Sequence, residues 1–546
     1  MFNKNIFLAF LLLLVIQNLS AQYTFIKKWD RRYGGTSDEG LYSVTNTKDK
    51  GYILGGFSNS GISGDKSQAT HGNSDYWVIK VDSTGNKQWD KRFGGSATDV
   101  LFSLQQTTDD GYILGGNSYS NISGDKTESS WGNSDYWVVK IDSTGNKQWD
   151  KRFGGTKNDV LATVIQTTDN KYLLGGSSNS GITGNKSQSN WDNTSFTDDY
   201  WIVKIDEFGS KEWDKRFGGD REDGFASLSE TADKGFLLGG TSSSDSIGDK
   251  TQVSRGSGDY WIVKIDSVGN KQWDNRYGVN SGAPFSFLLQ SEDKGYILSG
   301  IAGGGVNGDK TESGCGSGDF WIVKTDSIGN KLWDRDYGGN SDDYVFRAEQ
   351  TFDNGYLISG TSTSNLSCNK TEDNVGTTEL WVLKIDSIGN KQWDKTIFSD
   401  LALNYGIGVQ SLNGCFVFGA SVSGSATGYQ SQSTWNGSSD YWIMKFCMDT
   451  VVGIGDVEMD DEGGIQIQVW PNPFSSDLSI ALKGGHVSEA EFIITNALGQ
   501  VIYKREESNL SSNYTKMLDL SYLPGGVYFV EVTTNNGCTV KQVVKQ

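Results

Sequence analysis

Histidine, methionine and proline are nearly missing from this chain of 546 residues, which holds two, five and four of them. Two histidines leave little for imidazole acid–base or metal chemistry. Positive charge is also short: 48 Lys and Arg stand against 67 Asp and Glu, for a net charge of −19. That balance excludes a nucleic-acid partner, because phosphate binding needs a positive field. Five cysteines are present without one C-x-x-C pair, which excludes the common zinc and redox motifs. Beyond residue 16 no apolar run approaches the roughly 20 residues of a membrane span. No segment keeps a helical apolar period over three turns.

Seventy glycines and 18 tryptophans fill the place of what is missing. They predict many turns between short, aromatic-rich strands. The length predicts more than one domain. Residues 1–21 read as a signal peptide: Lys4 gives the positive start, Ile6 to Ile16 the short apolar core, and Ser20-Ala21 the small-residue cleavage site. Export permits disulfides.

The dominant signal is an internal repeat. Trp-Asp recurs at Trp29, Trp89, Trp149, Trp213, Trp273, Trp333 and Trp393, in steps of 60 residues with one of 64. A second tryptophan follows in each unit, at Trp77, Trp137, Trp201, Trp261, Trp321, Trp381 and Trp442. Each unit holds four strand-like runs parted by Gly, Asn, Asp and Ser. Four short antiparallel strands repeated seven times predict an all-β, seven-bladed β-propeller of four-stranded blades. The array begins with a lone Trp-Asp strand and ends with a lone Tyr-Trp strand, so closure would pair the two and complete the seventh blade. An open array would leave both edges bare. Within each hairpin, Asp142 opposite Lys147 would set Lys140 opposite Trp149, with the lysine stem along the ring and a modest cation–π term. Lysine recurs there in every unit.

The unit resembles the seven-bladed-propeller repeats of exported bacterial proteins (SBBP-like) over residues 23–448, through Gly94-Gly95, Asp99, Asp109-Asp110-Gly111, Gly116-Asn117-Ser118 and Lys140-Ile141-Asp142. That likeness implies that the second run of each unit is innermost. The end of the chain differs. It carries Pro471-Asn472-Pro473, then Leu523-Pro524-Gly525-Gly526-Val527-Tyr528, and closes on Lys541 to Gln546. In order and position these are similar to the type A C-terminal sorting domain of the type IX secretion system of Bacteroidota. The resemblance implies an Ig-like β-sandwich, handling by the type IX machinery, and tag removal with release or attachment to lipopolysaccharide. The division is therefore 1–21 signal peptide, 22–448 propeller, 449–466 acidic linker and 467–546 sorting domain.

Three residue sets compete as sites. Glu39, Asp99, Asp159, Asp223 and Asp343 open the inner strands, and could ring one channel mouth and hold a cation such as calcium. The preferred reading is that each accepts backbone N–H groups at its own turn. Gly-Asp-Lys recurs in the long loop at Asp65, Asp125, Asp249 and Asp309, with Asn185 and Asn369 in two further copies, and reads as turn stabilisation. His71, Trp131, Trp191 and Trp435 share one loop position in four consecutive units of a ring. They offer a ligand-contact arc, or packing between blades. Blade six has Arg347 and Glu349 on its inner strand, read as an internal ion pair. Cys415 and Cys447 fall on adjacent strands and are expected to form a disulfide; the pairing of Cys315, Cys368 and Cys538 is open. No nucleophile–base pair stands out, and no cofactor is indicated. The leading expectation is a secreted or cell-surface, non-enzymatic binding or adhesion module for a glycan or protein. A glycan-acting lyase or hydrolase and a structural surface-layer component are the alternatives.

Overall fold

The computed structural model describes residues 22–192, 196–399, 403–412, 414–451, 466–483, 489–496, 500–508, 510, 513–534 and 537–545. The signal peptide and residues 452–465 of the linker lie outside them. The chain divides into two units, Met1–Val451 and Val452–Gln546.

The first unit is a β-propeller of seven four-stranded antiparallel sheets. Six are built from consecutive strands. In blade two the order is Asp99–Gln106, Tyr112–Ser118, Asp135–Ile141 and Lys147–Phe153, from the axis outwards. Each inner strand touches the inner strands of both neighbouring blades, including that of blade seven (Asn404–Gln410) against that of blade one (Glu39–Asn46). The ring is closed. Blade seven is completed by Gln22–Tyr33, which pairs with Asp440–Val451 and sets Trp29 opposite Lys445. That pairing carries the last strand to Val451, so the first three residues expected in the linker are part of the sheet.

The core lies between blades. Ile53, Tyr76 and Val78 of blade one meet Leu101, Leu104, Leu114 and Trp137 of blade two in one buried cluster. The two middle strands are covered on both faces, so every residue of Tyr112–Ser118 and Asp135–Ile141 is buried. Backbones approach closely here: a Cβ on Gly116 would lie 2.0 Å from the Val100 carbonyl oxygen, which requires glycine.

The two tryptophan series have one explanation. The third-strand indole of each blade donates to the aspartate of the Trp-Asp pair on the outer strand, as Trp137 Nε1 does to Asp150 at 3.1 Å. Lys147 holds the other oxygen of Asp150 at 2.8 Å. A buried indole N–H finds its acceptor, and a buried carboxylate its cation. The bond recurs at the closure, where Trp442 donates to Asp30 at 3.1 Å across the two ends of the array.

Lys140 stands opposite Trp149, but a bulge places Ile141, rather than Asp142, opposite Lys147. The Lys140 ammonium leaves the ring and pairs with Asp109 of its own blade at 2.8 Å. The expected cation–π term gives way to this ion pair. Where two lysines of the series do lie over a ring, the rings are Phe236 and Tyr52.

Disulfides join Cys415 to Cys447 within blade seven and Cys315 to Cys368 between the loops of blades five and six.

In the second unit, a three-stranded sheet (Gln466–Trp470, Asp477–Lys483, Asn513–Asp519) and a four-stranded sheet (Val501–Ser508, Glu489–Asn496, Gly526–Thr534, Gly537–Lys545) form a sandwich. Leu478, Ile480 and Leu482 of one sheet meet Phe492, Ile494, Val530 and Val532 of the other.

Candidate functional site

The carboxylates that open the inner strands do not ring a mouth. Glu39, Asp99, Asp159, Asp223 and Asp343 are wholly buried. Each accepts the N–H of the glycine four residues before it, at 2.7 to 2.8 Å. A serine hydroxyl adds a second bond, as Ser120 does to Asp99 at 2.9 Å. The turn takes these side chains because a glycine-rich corner exposes N–H groups that need an acceptor.

Each also faces a second buried carboxylate across the seam: Glu39 faces Asp440, Asp99 faces Asp75, Asp159 faces Asp135, Asp223 faces Asp199, and Asp343 faces Asp319. Ala283 and Leu403 take the inner-strand place in the two remaining seams, as their backbone bonds to Gly258 and Thr378 show. Burial pushes Asp135 up to about 6 and Asp199 up to about 8, with the facing carboxylate adding to the rise. The lysines of the Gly-Asp-Lys turns are buried beside them, and burial pushes Lys66, Lys126 and Lys250 down to about 8. The result is a sealed annulus of carboxyl and amino groups under the loop face. Among the described residues no group of three or more His, Cys, Asp or Glu is placed to hold a metal ion.

The aspartates of those turns act between blades rather than within the turn. Asp125 binds Arg92 of the preceding blade's outer strand, and Asp249 binds Arg216 at 2.6 Å. Where Asp336 replaces that arginine, Asn369 replaces the aspartate and donates to the Asp336 carbonyl at 3.1 Å. Two changes far apart in sequence cancel at one seam.

The aromatic arc lies on the same seams. Trp131, Trp191 and Trp435 are 52, 44 and 41 % exposed. Each ring is covered by an arginine of its own blade: Arg152, Arg216 and Arg32, at 4.7, 4.8 and 5.0 Å from the centroids. Each meets the turn glycine of the next blade, at Gly184, Gly248 and Gly64. Trp191 also donates its indole N–H to Asp249 there, at 3.0 Å. His71 meets Gly124 in the same way and takes a hydrogen bond from Arg92 at 2.7 Å. Further round the ring the same two positions hold Arg255 with Gly308, then Cys315 with Cys368. Aromatic, arginine and disulfide are alternative latches at one locus. Their inward faces close the seam and their outer edges stay in solvent.

The sequence reading missed a neighbouring series. Ile62, Ile122, Ile182, Ile247 and Val306 stand one or two residues before the turn glycine of their blades, and Leu366 two before Cys368 in the same place, at 49 to 72 % exposure. Their side chains lie largely in solvent. Aligning the repeats would have shown an apolar residue fixed in a polar loop. With the arc they form an apolar collar round the loop face.

In the second unit the sorting motif holds the chain end. Asn472 accepts the Val544 N–H at 2.9 Å and Phe474 donates to the Val544 carbonyl at 2.9 Å. Tyr528 donates to the Pro524 carbonyl at 2.7 Å, over buried Leu523. Gly526 and Val527 start the strand that pairs with the last one, Val527 opposite Val544. Pro471 and Pro473 flank the asparagine that fixes this contact.

Residues 468–546 match the secretion system C-terminal sorting domain family. The protein is thus exported by the type IX route to the cell surface or beyond. A search of curated proteins returns no match. Among solved structures, a protein of unknown function from Dyadobacter fermentans is similar at 10 % identity over 78 % of this chain and 99 % of its own, with a TM-score of 0.39. YCF48 bound to D1 peptide is similar at 8 % identity over 80 % and 97 %, with a TM-score of 0.39. The Pan2 WD40 domain of Neurospora crassa is similar at 10 % identity over 62 % and 92 %, with a TM-score of 0.32.

Proposed function

We propose that this exported propeller is a non-enzymatic recognition module that engages an extracellular partner through the apolar collar of its loop face. The observation that carries the reading is the repeated exposure of one aliphatic side chain in each of six blades, from Ile62 to Leu366. A continuous collar of exposed apolar side chains is a surface suited to binding. The half-exposed tryptophans add flat, rigid edges suited to the same task. The carboxyls most displaced from their ordinary range are sealed in the seams, where no substrate reaches them, so they lend no support to a glycan-acting enzyme.

The test is a binding screen of the mature chain against immobilised polysaccharides and extracellular matrix proteins. A variant carrying Ile62→Ser, Ile122→Ser and Ile182→Ser should lose at least tenfold in affinity for whatever the parent retains. Equal binding by parent and variant would remove the collar from the account. Self-association of the parent that the variant abolishes would make the partner a second copy, and the protein a surface-layer component.

A further inference from the structure

A second surface lies inside the ring and owes nothing to the collar. The inner strands of blades one to six share an irregularity at one place, where the ladder skips a single residue: Tyr42, Phe102, Ala162, Ala226, Ser286 and Phe346. In blade seven it skips Tyr405 and Gly406. A bulge takes its extra residue out of pairing and re-aims the side chain. Here the rings meet across blades. Phe346 lies 5.5 Å from Tyr405, Tyr405 lies 4.6 Å from Tyr42, and Tyr42 lies 5.0 Å from Phe102, between ring centroids. Four different inner strands can bring their side chains together in this way only where they converge on the axis.

The crescent spans four consecutive blades: six, seven, one and two. Blades three, four and five place only Ala162, Ala226 and Ser286 opposite it. The channel at this level is lopsided, with an aromatic wall facing a bay of small side chains. Tyr405 sits at the centre of the wall with φ +57 and is 42 % exposed. An aromatic residue in the left-handed region is strained, and such strain gathers at functional positions.

The position after the bulge is Ser43, Ser103, Thr163 and Ser227 in blades one to four, but Arg347 in blade six. Arg347 is the one lysine or arginine on the seven inner strands. Its guanidinium lies 5.7 Å from the Phe287 ring centroid, and its Nε is buried with no hydrogen-bond partner. The ion pair expected with Glu349 does not form. Glu349 accepts the Gln410 N–H at 3.2 Å instead, and burial holds its carboxyl above the ordinary range. The Arg347 charge offsets part of that rise at Glu349, but among the described residues no carboxylate binds the guanidinium directly.

We propose that this bay binds an acidic sugar residue, its ring against the Tyr405–Tyr42 wall and its carboxylate on Arg347. A pyranose ring offers an apolar C–H face to an aromatic surface, and a carboxylate offers the planar acceptor pair that a guanidinium fits. The Tyr42 and Tyr405 hydroxyls supply polar partners for ring hydroxyls. The sorting domain takes the protein to the cell surface or beyond.

Isothermal titration of the mature full-length chain tests this with a trimer of galacturonic acid, its neutral galactose counterpart, inorganic phosphate and a short peptide with a free C-terminus. The variants are Arg347→Ser and Phe346→Ala, which install residues this protein already uses at the same positions in blades two and three. Melting curves check that both fold. The acidic trimer should bind the parent, and each variant should weaken it at least tenfold. The neutral trimer should bind at least tenfold more weakly than the acidic one and be indifferent to Arg347→Ser. No binding of the acidic trimer, or binding that neither variant alters, overturns the proposal. So does phosphate or the peptide binding as tightly as the acidic trimer.

Discussion

Blade two and blade seven occupy equivalent places in the ring but are held together differently. Blade two is one stretch of chain, and tight turns register its strands. Blade seven joins Gln22–Tyr33 to strands more than 370 residues away. The indole-to-aspartate bond is the same in both, at 3.1 Å in each. What blade seven adds is covalent. Cys415 stands where blade two has Gly111, and Cys447 where it has Asp142. The blade without a local outer hairpin has a crosslink at its third strand. A pairing whose entropy is not reduced by a short loop needs reinforcement that a hairpin does not.

Removing the shared device should hit both blades hard. Trp137→Ala and Trp442→Ala should each cost about 3–5 kcal/mol, the range for truncating a buried tryptophan, read by denaturant unfolding. Hydrogen exchange then separates them: Trp442→Ala should release the amides of Gln22–Tyr33, while Trp137→Ala leaves them protected. The same exchange pattern in both variants would break the comparison.

Removing the added device should touch blade seven alone. Cys415→Ser with Cys447→Ser should cost about 2–4 kcal/mol. The Gln22–Tyr33 strand should lose protection before Lys147–Phe153 of blade two. Simultaneous loss would mean that the crosslink serves the whole ring.

The smallest effect is on pH dependence. Asp135 in blade two and Asp440 in blade seven both sit above the ordinary carboxyl range, raised by burial and by a facing carboxylate. A carboxyl raised on folding stabilises the protein while protonated. That contribution is full below its unfolded value and is lost as pH rises through the folded value. The melting temperature should therefore fall as pH rises from 5 to 8, on account of these groups. Asp135→Asn and Asp440→Asn should each flatten that fall. A melting temperature that rises over this window in the parent would refute the assignment.

Much of the fold was legible because the repeat is strict. Trp-Asp spacing gave the blade count, and the unpaired first and last strands gave closure. The hairpin bulge was hidden, since one residue of slip leaves the composition of a strand unchanged. The site was less readable. That Glu39 and its equivalents accept N–H groups at their own turns was legible, but the facing carboxylate that buries each pair across a seam was not. The arc was found and packing between blades was one of its two readings, but the partner of each residue, such as Gly184 for Trp131, needed the fold. The channel crescent escaped because Tyr42, Phe102, Phe346 and Tyr405 occupy a position filled elsewhere by alanine or serine. Variation there looks like tolerance until the strands are set round an axis.

Gln22 lies directly opposite Val451. The ring thus has a single doorway, through which the chain both enters and departs, and any tension on the tag arrives at one strand. That strand is stapled to its neighbour at Cys447. A load would be spread into the middle of blade seven before it could peel the first strand away.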